Sequence, residues 1–65
     1  MKIGDIYEKK RCLGMGNMGD GFFKIDDKLV FAKNAVTRKR YDLKIIDVYP
    51  NVAFAKLVSL AERVM

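Results

Sequence analysis

The 65-residue chain is divided into short segments in which apolar and polar residues alternate. The clearest example is RYDLKIIDVY at residues 40–49, where alternation puts Tyr41, Leu43 and Ile45 on one face. A period of two is typical of a half-buried β-strand, and Gly or Pro at the segment ends indicates turns. No segment has the period of a long helix. The pattern therefore predicts an all-β fold.

Five strands are predicted, at residues 5–13, 21–26, 28–32, 40–49 and 52–58. Asp26-Asp27 is expected to form a tight hairpin turn, and the adjacent Ile45 and Ile46 interrupt the alternation as a β-bulge does. A small sheet commonly closes on itself to remove its edges, which favours a small five-stranded antiparallel barrel. One domain, residues 1–58, is followed by a short tail at 59–65, where SLAE spells a capping box for a short C-terminal helical turn.

The predicted core follows from the inward positions of these strands. It consists of Ile6, Phe23, Ile25, Val30, Tyr41, Leu43 and Ile45.

The stretch CLGMGNMGDGFF contains G-x-G-x-x-G at residues 14, 16 and 19, the spelling of a dinucleotide-binding fingerprint. That fingerprint functions between a strand and a helix, whose N-terminus binds the pyrophosphate. Here the glycines precede an alternating aromatic segment, and the chain has no crossover helix. No nucleotide cofactor is therefore expected. The three glycines are instead expected to supply positive φ in a loop, and Gly21 to allow a sharp bend at a barrel corner or the close approach of a ligand backbone.

Thirteen Lys and Arg against eight Asp and Glu give a net charge of +5, which favours a polyanionic partner, most often nucleic acid. Histidine is absent, so the usual metal ligand and general base are missing, and neither an enzyme nor a metal site is expected. Cys12 is the single cysteine, which suits a reducing compartment. The first 13 residues lack the apolar region of a signal peptide, and no segment is long and apolar enough for a membrane. A cytoplasmic location is expected.

Three strands combine an aromatic residue with a lysine two positions later, so that both side chains share a face. Single-stranded nucleic acid is bound by such combinations, because bases stack on the rings and phosphates follow the cations. The alternative is that the rings belong to the core, and for Phe31 the two possibilities are evenly balanced because Leu29 shares its face. The predicted pairs are Phe22 with Lys24, Phe31 with Lys33, and Phe54 with Lys56.

Further cations lie in two clusters, on the first strand and in the connection before residue 41. Lys9 and Arg11 belong to the first cluster, and Arg38, Lys39 and Arg40 to the second. Each is a candidate for phosphate contact, and the alternative for the first cluster is a solvated face.

The segments GDGFFKIDDKLVFAKNA and YDLKIIDVYPNVAFAKLV together resemble the TRAM domain, a small β-barrel of OB-like architecture. The resemblance covers residues 4–58. TRAM domains occur on RNA-modifying methyltransferases and, in archaea, as single-domain proteins similar to cold-shock RNA chaperones, and the present chain is similar to the latter kind. It departs from the pattern at Asn34, where a glycine is usual, and at Val52, which is often aromatic. Its most specific parts are Gly19-Asp20-Gly21, Lys24-Ile25-Asp26, Val30-Phe31 and residues 51–56.

The resemblance implies RNA binding without catalysis and without a cofactor. The expected function is that of a monomeric RNA chaperone that binds single-stranded or structured RNA with low sequence specificity. Misfolded ribosomal or transfer RNA is among the expected partners, and no membrane partner is expected. Two alternatives remain open from the sequence: a structural component of a ribonucleoprotein particle such as the ribosome, or a small protein that coats duplex DNA.

Overall fold

The computed structural model describes residues 1–58, and the capping box expected at 59–62 lies outside them. The described part is all β, as predicted, and contains no helix that could cross a membrane. Six strands form one sheet in the order β1-β5-β6-β4-β3-β2. Their bounds are β1 Ile6–Arg11, β2 Gly14–Met15, β3 Asp20–Ile25, β4 Lys28–Lys33, β5 Arg40–Val48 and β6 Val52–Leu57.

The sheet curls back on itself because its two edge strands are parts of one continuous segment. Only Cys12 and Leu13 separate β1, which pairs with β5, from β2, which pairs with β3. Backbone hydrogen bonds continue through this joint, from Cys12 N–H to the Lys39 carbonyl and from Leu13 N–H to the Phe22 carbonyl. The six strands therefore make the wall of an OB-like five-stranded barrel in which the first strand is bent.

The expected barrel was antiparallel, and the structure differs from this prediction in one pair of strands. β4 and β6 run parallel, whereas the other four pairs are antiparallel. Parallel neighbours need a long crossover. Here β5 serves as that crossover, because it follows β4 in the chain and pairs with β6 on the far side.

The two predicted irregularities are confirmed. Asp26 and Asp27, with φ of 53° and 63°, turn β3 into β4, and two successive residues with positive φ are typical of a type I′ hairpin turn. The β5–β6 register shifts between Ile45 and Asp47, which places a bulge at Ile46. A second bulge, which the sequence did not predict, lies in β1 between Tyr7 and Lys10.

The core contains five of the seven predicted residues, each fully or almost fully buried: Phe23, Ile25, Val30, Leu43 and Ile45. Tyr41 is half-buried and presents its ring edge-on to Phe23, at 6.3 Å between centroids. The prediction for Ile6 was wrong, since its side chain is 53% exposed. Ile6 lies directly opposite Lys44, and opposed residues share a face, so Ile6 faces outward with that lysine.

The expectation of positive φ holds for Gly19, at 84°, and is wrong for Gly14 and Gly16. Gly14 lacks a side chain for another reason, because a Cβ there would lie 2.8 Å from the Phe22 ring. Gly21 allows a close approach of the chain to itself. A Cβ at that position would lie 2.5 Å from the Ala35 Cβ and 2.7 Å from the Cys12 sulfur.

Candidate nucleic-acid interface

Three phenylalanines lie side by side on the outer face of the barrel. Phe22 is directly opposite Phe31 across the β3–β4 ladder, and Phe31 is directly opposite Phe54 across the β4–β6 ladder. The ring centroids are 6.5 Å apart in the first pair and 5.9 Å apart in the second. Phe54 is 37% exposed, and the other two rings are half-buried. We call these three residues, with Tyr49, the aromatic row.

Small inward-facing residues are what allow these rings to face outward. In β6, Ala53 and Ala55 are buried on either side of Phe54, and in β4 the buried Val30 and Ala32 flank Phe31. Because side chains alternate along a strand, burying these neighbours directs the phenyl rings to the opposite face. The question left open for Phe31 is thereby answered: it lies on the outer face, and so does Leu29, which is 41% exposed.

Tyr49 extends the row beyond β6. Its ring meets Phe54 edge-on, with centroids 5.9 Å apart and planes at 88°. Its hydroxyl donates a hydrogen bond to the Asp47 carboxylate at 3.0 Å, and its backbone N–H bonds the Val52 carbonyl. The Lys28 ammonium donates to the Tyr49 carbonyl at 3.1 Å. These contacts hold Tyr49 in place at the end of the row.

The hydrogen bond to Asp47, followed by the charge of that carboxylate, raises the pKa of Tyr49 above its ordinary value of 10.0. The neutral hydroxyl therefore contributes stability below pH 10, and this contribution is lost as the pH rises through the higher pKa of the folded protein. Asp47→Asn removes the charge, so we expect the Tyr49 pKa to fall towards its ordinary value. A pH titration followed by the NMR shift of the tyrosine ring carbons tests this, with Tyr49→Phe identifying the resonance. An unchanged pKa in Asp47→Asn would show that Asp47 is not the cause.

Strand direction decides which lysines lie together beside the aromatic row. Because β4 and β6 are parallel, extending the register that pairs Phe31 with Phe54 and Ala32 with Ala55 by one residue places Lys33 beside Lys56, and both lysines line the same groove. Lys44 lies opposite Lys56 on β5, and all three lysines are exposed. β3 runs the other way, so Lys24 lies opposite Leu29, on the other side of the row.

Two adjoining grooves border the aromatic row, and Asp20, Phe31 and Phe54 line both. The larger has a volume of about 500 Å³ and runs between Phe54 and the lysine pair Lys33 and Lys56. The smaller, of about 300 Å³, lies beneath the glycine-rich loop, which contributes Asn17 and the 89% exposed Met18. An extended chain with flat, apolar side groups and a charged backbone fits such a surface.

The other five predicted cations lie on a different part of the wall. Arg11 and Arg40 are directly opposite each other across the β1–β5 ladder. The loop before β5 is joined to the end of β1 by two hydrogen bonds, from Arg38 N–H to the Cys12 carbonyl and from Cys12 N–H to the Lys39 carbonyl. Lys9 lies at the β1 bulge. The predicted site residues are thus divided between two regions of the outer surface.

Two members of the interface were missed from the sequence. Lys44 is part of an outward row only because of the β5–β6 register, which sequence alternation within β5 does not reveal. Tyr49 follows a strand and precedes a proline, a position that is typical of a turn. The aromatic residue type next to Pro50 was the signal available in the sequence. No three His, Cys, Asp or Glu side chains converge anywhere within residues 1–58.

Comparison with known proteins finds that the chain is similar to parts of two enzymes. No family model matches the chain. It is 44% identical over 48 residues, 74% of its length, to part of an uncharacterized RNA methyltransferase of Clostridium acetobutylicum. It is 43% identical over 44 residues, 68% of its length, to part of the ribosomal RNA large subunit methyltransferase E of Methanocella arvoryzae. The chain spans only 10% and 17% of the length of these two enzymes.

A solved structure agrees over almost the whole chain. The solution structure of a conserved protein of Methanococcus maripaludis superposes with a TM-score of 0.81 and 34% sequence identity. The match covers 91% of the present chain and 83% of that protein. The present chain therefore belongs to the same family as this conserved methanococcal protein.

Proposed function

We propose that this chain is an RNA-binding domain of the TRAM type, which holds unpaired RNA with low sequence specificity and acts as an RNA chaperone. The observation that carries the proposal is the aromatic row, with Lys33, Lys56 and Lys44 aligned along one side. Neither the rings nor the lysines alone are specific to nucleic acid. Together they match a nucleotide, because its base can stack on a ring and its phosphate can bind an ammonium group.

Stacking supplies the affinity for bases. An aromatic ring contributes about 1–3 kcal/mol for each stacked base, and every base has a π-face, so binding tolerates many sequences. The rings of Phe22, Phe31 and Phe54 are 5.9–6.5 Å apart between neighbours, so successive bases of one strand can reach successive rings. The lysine row, on one side only, gives the sugar–phosphate backbone a defined edge to follow.

The matched enzymes support RNA as the ligand. Both are named RNA methyltransferases, and the segment they share with this chain is a small part of each. In this chain, the outer face of rings and ammonium groups is suited to holding RNA. These groups bind bases and phosphates and do not activate a nucleophile, so we infer that the chain binds RNA without catalysing a reaction on it.

A chaperone needs contacts that are sequence-tolerant and individually weak, because the RNA must be released to pair again. The exposed and half-buried rings and the exposed lysines meet this need. We therefore infer that the domain, acting as a cytoplasmic monomer, captures unpaired segments of misfolded ribosomal or transfer RNA and lets them re-pair.

The salt dependence of binding tests the role of the lysine row. Three phosphate contacts in a single strand predict a slope of about −2 for log K against log salt, since each contributes about −0.7. Lys33→Gln is expected to reduce the magnitude of that slope by about 0.7 and to weaken binding of every unstructured RNA alike. Fluorescence anisotropy with a short labelled RNA between 50 mM and 300 mM salt measures both. Lys2→Gln, with the same change in net charge, is the matched control, and an equal effect there would show that only net charge matters.

Direct competition separates the proposed function from its alternatives. The proposal predicts that unstructured RNA displaces the protein from duplex DNA of equal length, and that the protein opens a fluorophore-labelled RNA hairpin. A preference for duplex DNA would contradict it. Cosedimentation with ribonucleoprotein particles at a salt concentration that releases free RNA would instead favour a structural role in a particle.

A further inference from the structure

The cations on β1, β5 and the loop before β5 form a second charged surface. We define the arginine patch as Lys9, Arg11, Arg38 and Arg40, all of which are exposed. A hollow of about 300 Å³ separates Lys9 from Arg40, with Tyr41, Asp42 and Val58 as its other walls. One carboxylate oxygen of Asp42 accepts a hydrogen bond from the Lys9 N–H at 2.8 Å.

Each part of this patch is unfavourable for folding. Arg11 and Arg40 are directly opposite each other in an antiparallel pair, where like charges destabilise the sheet. Lys9 and Arg38 have positive φ, 54° and 74°, a region that costs a residue with a side chain roughly 1–2 kcal/mol. Glycine or asparagine is the residue type that suits such positions, as Asn34 does at a φ of 68° in this same barrel.

Strained residues cluster where a function needs them, and here the strained residues are both cations. Their backbones are held in place by the fold, Lys9 through its bond to Asp42 and Arg38 through its bond to the Cys12 carbonyl. A folding requirement would not select Lys or Arg at these positions. A ligand with several negative charges would, because Arg11 lies opposite Arg40, Lys9 and Arg40 line one hollow, and the Arg38 backbone is bonded to the residue that follows Arg11.

The patch is separate from the aromatic row. On the outer face of β5, the half-buried Asp42 lies between Arg40 and Lys44, so a phosphate chain running from one to the other would cross a carboxylate. Asp47, which lies opposite Phe54, is seven positions along β5 from Arg40, and this corresponds to roughly 23 Å of strand. A tetranucleotide whose bases stack on the aromatic row is therefore too short to reach Arg40 as well.

We propose that the arginine patch binds the phosphodiester backbone of a second RNA segment while the aromatic row holds the unpaired bases of the first. This inference rests on the proposed function and adds an activity to it: by holding two segments at once, the domain accelerates annealing of complementary strands. Guanidinium groups suit this task, because they form paired hydrogen bonds to phosphate oxygens.

The first test compares two variants that each lose one positive charge, Arg40→Gln in the patch and Lys2→Gln outside it. Annealing of two complementary labelled RNAs is followed by energy transfer, and affinity for an unstructured tetranucleotide by anisotropy. We expect Arg40→Gln to slow annealing several-fold more than Lys2→Gln and to leave tetranucleotide affinity within about twofold of the wild type.

The second test relieves the backbone strain at Lys9 and Arg38, the two residues of the patch with positive φ. In the double variant Lys9→Gly/Arg38→Gly, relief of two positive-φ side chains is expected to raise Tm by roughly 4 °C or more, while annealing slows roughly tenfold through loss of two phosphate contacts. A more stable barrel that anneals RNA less well cannot be explained by damage to the fold.

Two results would overturn the inference. If tetranucleotide affinity falls as much as annealing does, the patch and the row are one continuous site. If annealing is unchanged in both patch variants, the patch is a solvated face. A wild-type protein that binds no tetranucleotide at all would refute the proposed function itself, a different outcome from either of these.

Discussion

Phe31→Leu is expected to weaken binding of unstructured RNA by about 10- to 100-fold, the value of one lost base–ring stack. Phe31 is the centre of the aromatic row and contacts both Phe22 and Phe54. Leucine keeps most of the apolar volume on β4 but provides no flat surface for a base. Anisotropy titration with a labelled RNA of about eight nucleotides, in the range covered by one OB-type barrel, measures the loss.

The matched control for this variant is Leu29→Ala, which removes an exposed apolar side chain from the same face of the same strand. We expect its RNA affinity to stay within about twofold of the wild type, because no ring is lost. Thermal unfolding of both variants shows whether the barrel is intact. Equal affinities for Phe31→Leu and the wild type, with both folded, would mean that bases do not stack on the row.

Gly21→Ala is expected to destabilise the barrel by about 2–3 kcal/mol and to lower Tm by roughly 10–20 °C, a large share of the stability of so small a domain. The added methyl would lie 2.5 Å from the Ala35 Cβ, 2.7 Å from the Cys12 sulfur and 2.9 Å from the Ala35 carbonyl oxygen. None of these atoms is the end of a flexible side chain, so the strands themselves must move. Thermal and urea unfolding measure the effect.

Gly16→Ala is the control for the glycine substitution. A Cβ at residue 16 has only the Asp20 carbonyl oxygen within 4 Å, at 3.8 Å, and the backbone there does not have positive φ. We expect a stability equal to that of the wild type or slightly higher, by up to about 1 kcal/mol, because alanine reduces the entropy of the unfolded chain. If the two variants are equally stable, the close packing of β3 on Cys12 and Ala35 is not what requires a glycine.

Local chemistry made much of the fold predictable from the sequence. Alternation defined five segments of strand to within about two residues at each end, and the adjacent isoleucines indicated the bulge at Ile46. The Asp26-Asp27 turn was predictable because aspartate tolerates positive φ. Closure of a small sheet predicted the barrel, and resemblance to a family supplied its OB-like architecture, since alternation alone does not say how strands are ordered.

The features that were not predicted depend on contacts between strands that are distant in sequence. Ile6 is apolar, as core residues usually are, and only its register with Lys44 shows that it faces outward. Likewise, Lys33 lies beside Lys56, and Lys24 lies apart from both, because of the directions of their strands. A period of two in the sequence does not reveal strand direction. Gly14 was attributed to backbone freedom, whereas its position is restricted by the Phe22 ring across the β2–β3 pair.

The proposed function depends most on the stacking of bases on the outer face formed by β3, β4 and β6. NMR chemical-shift mapping with an unstructured RNA tetranucleotide tests this stacking most directly, using both backbone amides and aromatic ring carbons. We expect the largest shifts at Phe22, Phe31 and Phe54 and at the amides of Lys33 and Lys56, with upfield ring resonances indicating stacked bases. Shifts confined to β1 and the first half of β5, with unchanged phenyl resonances, would contradict this expectation.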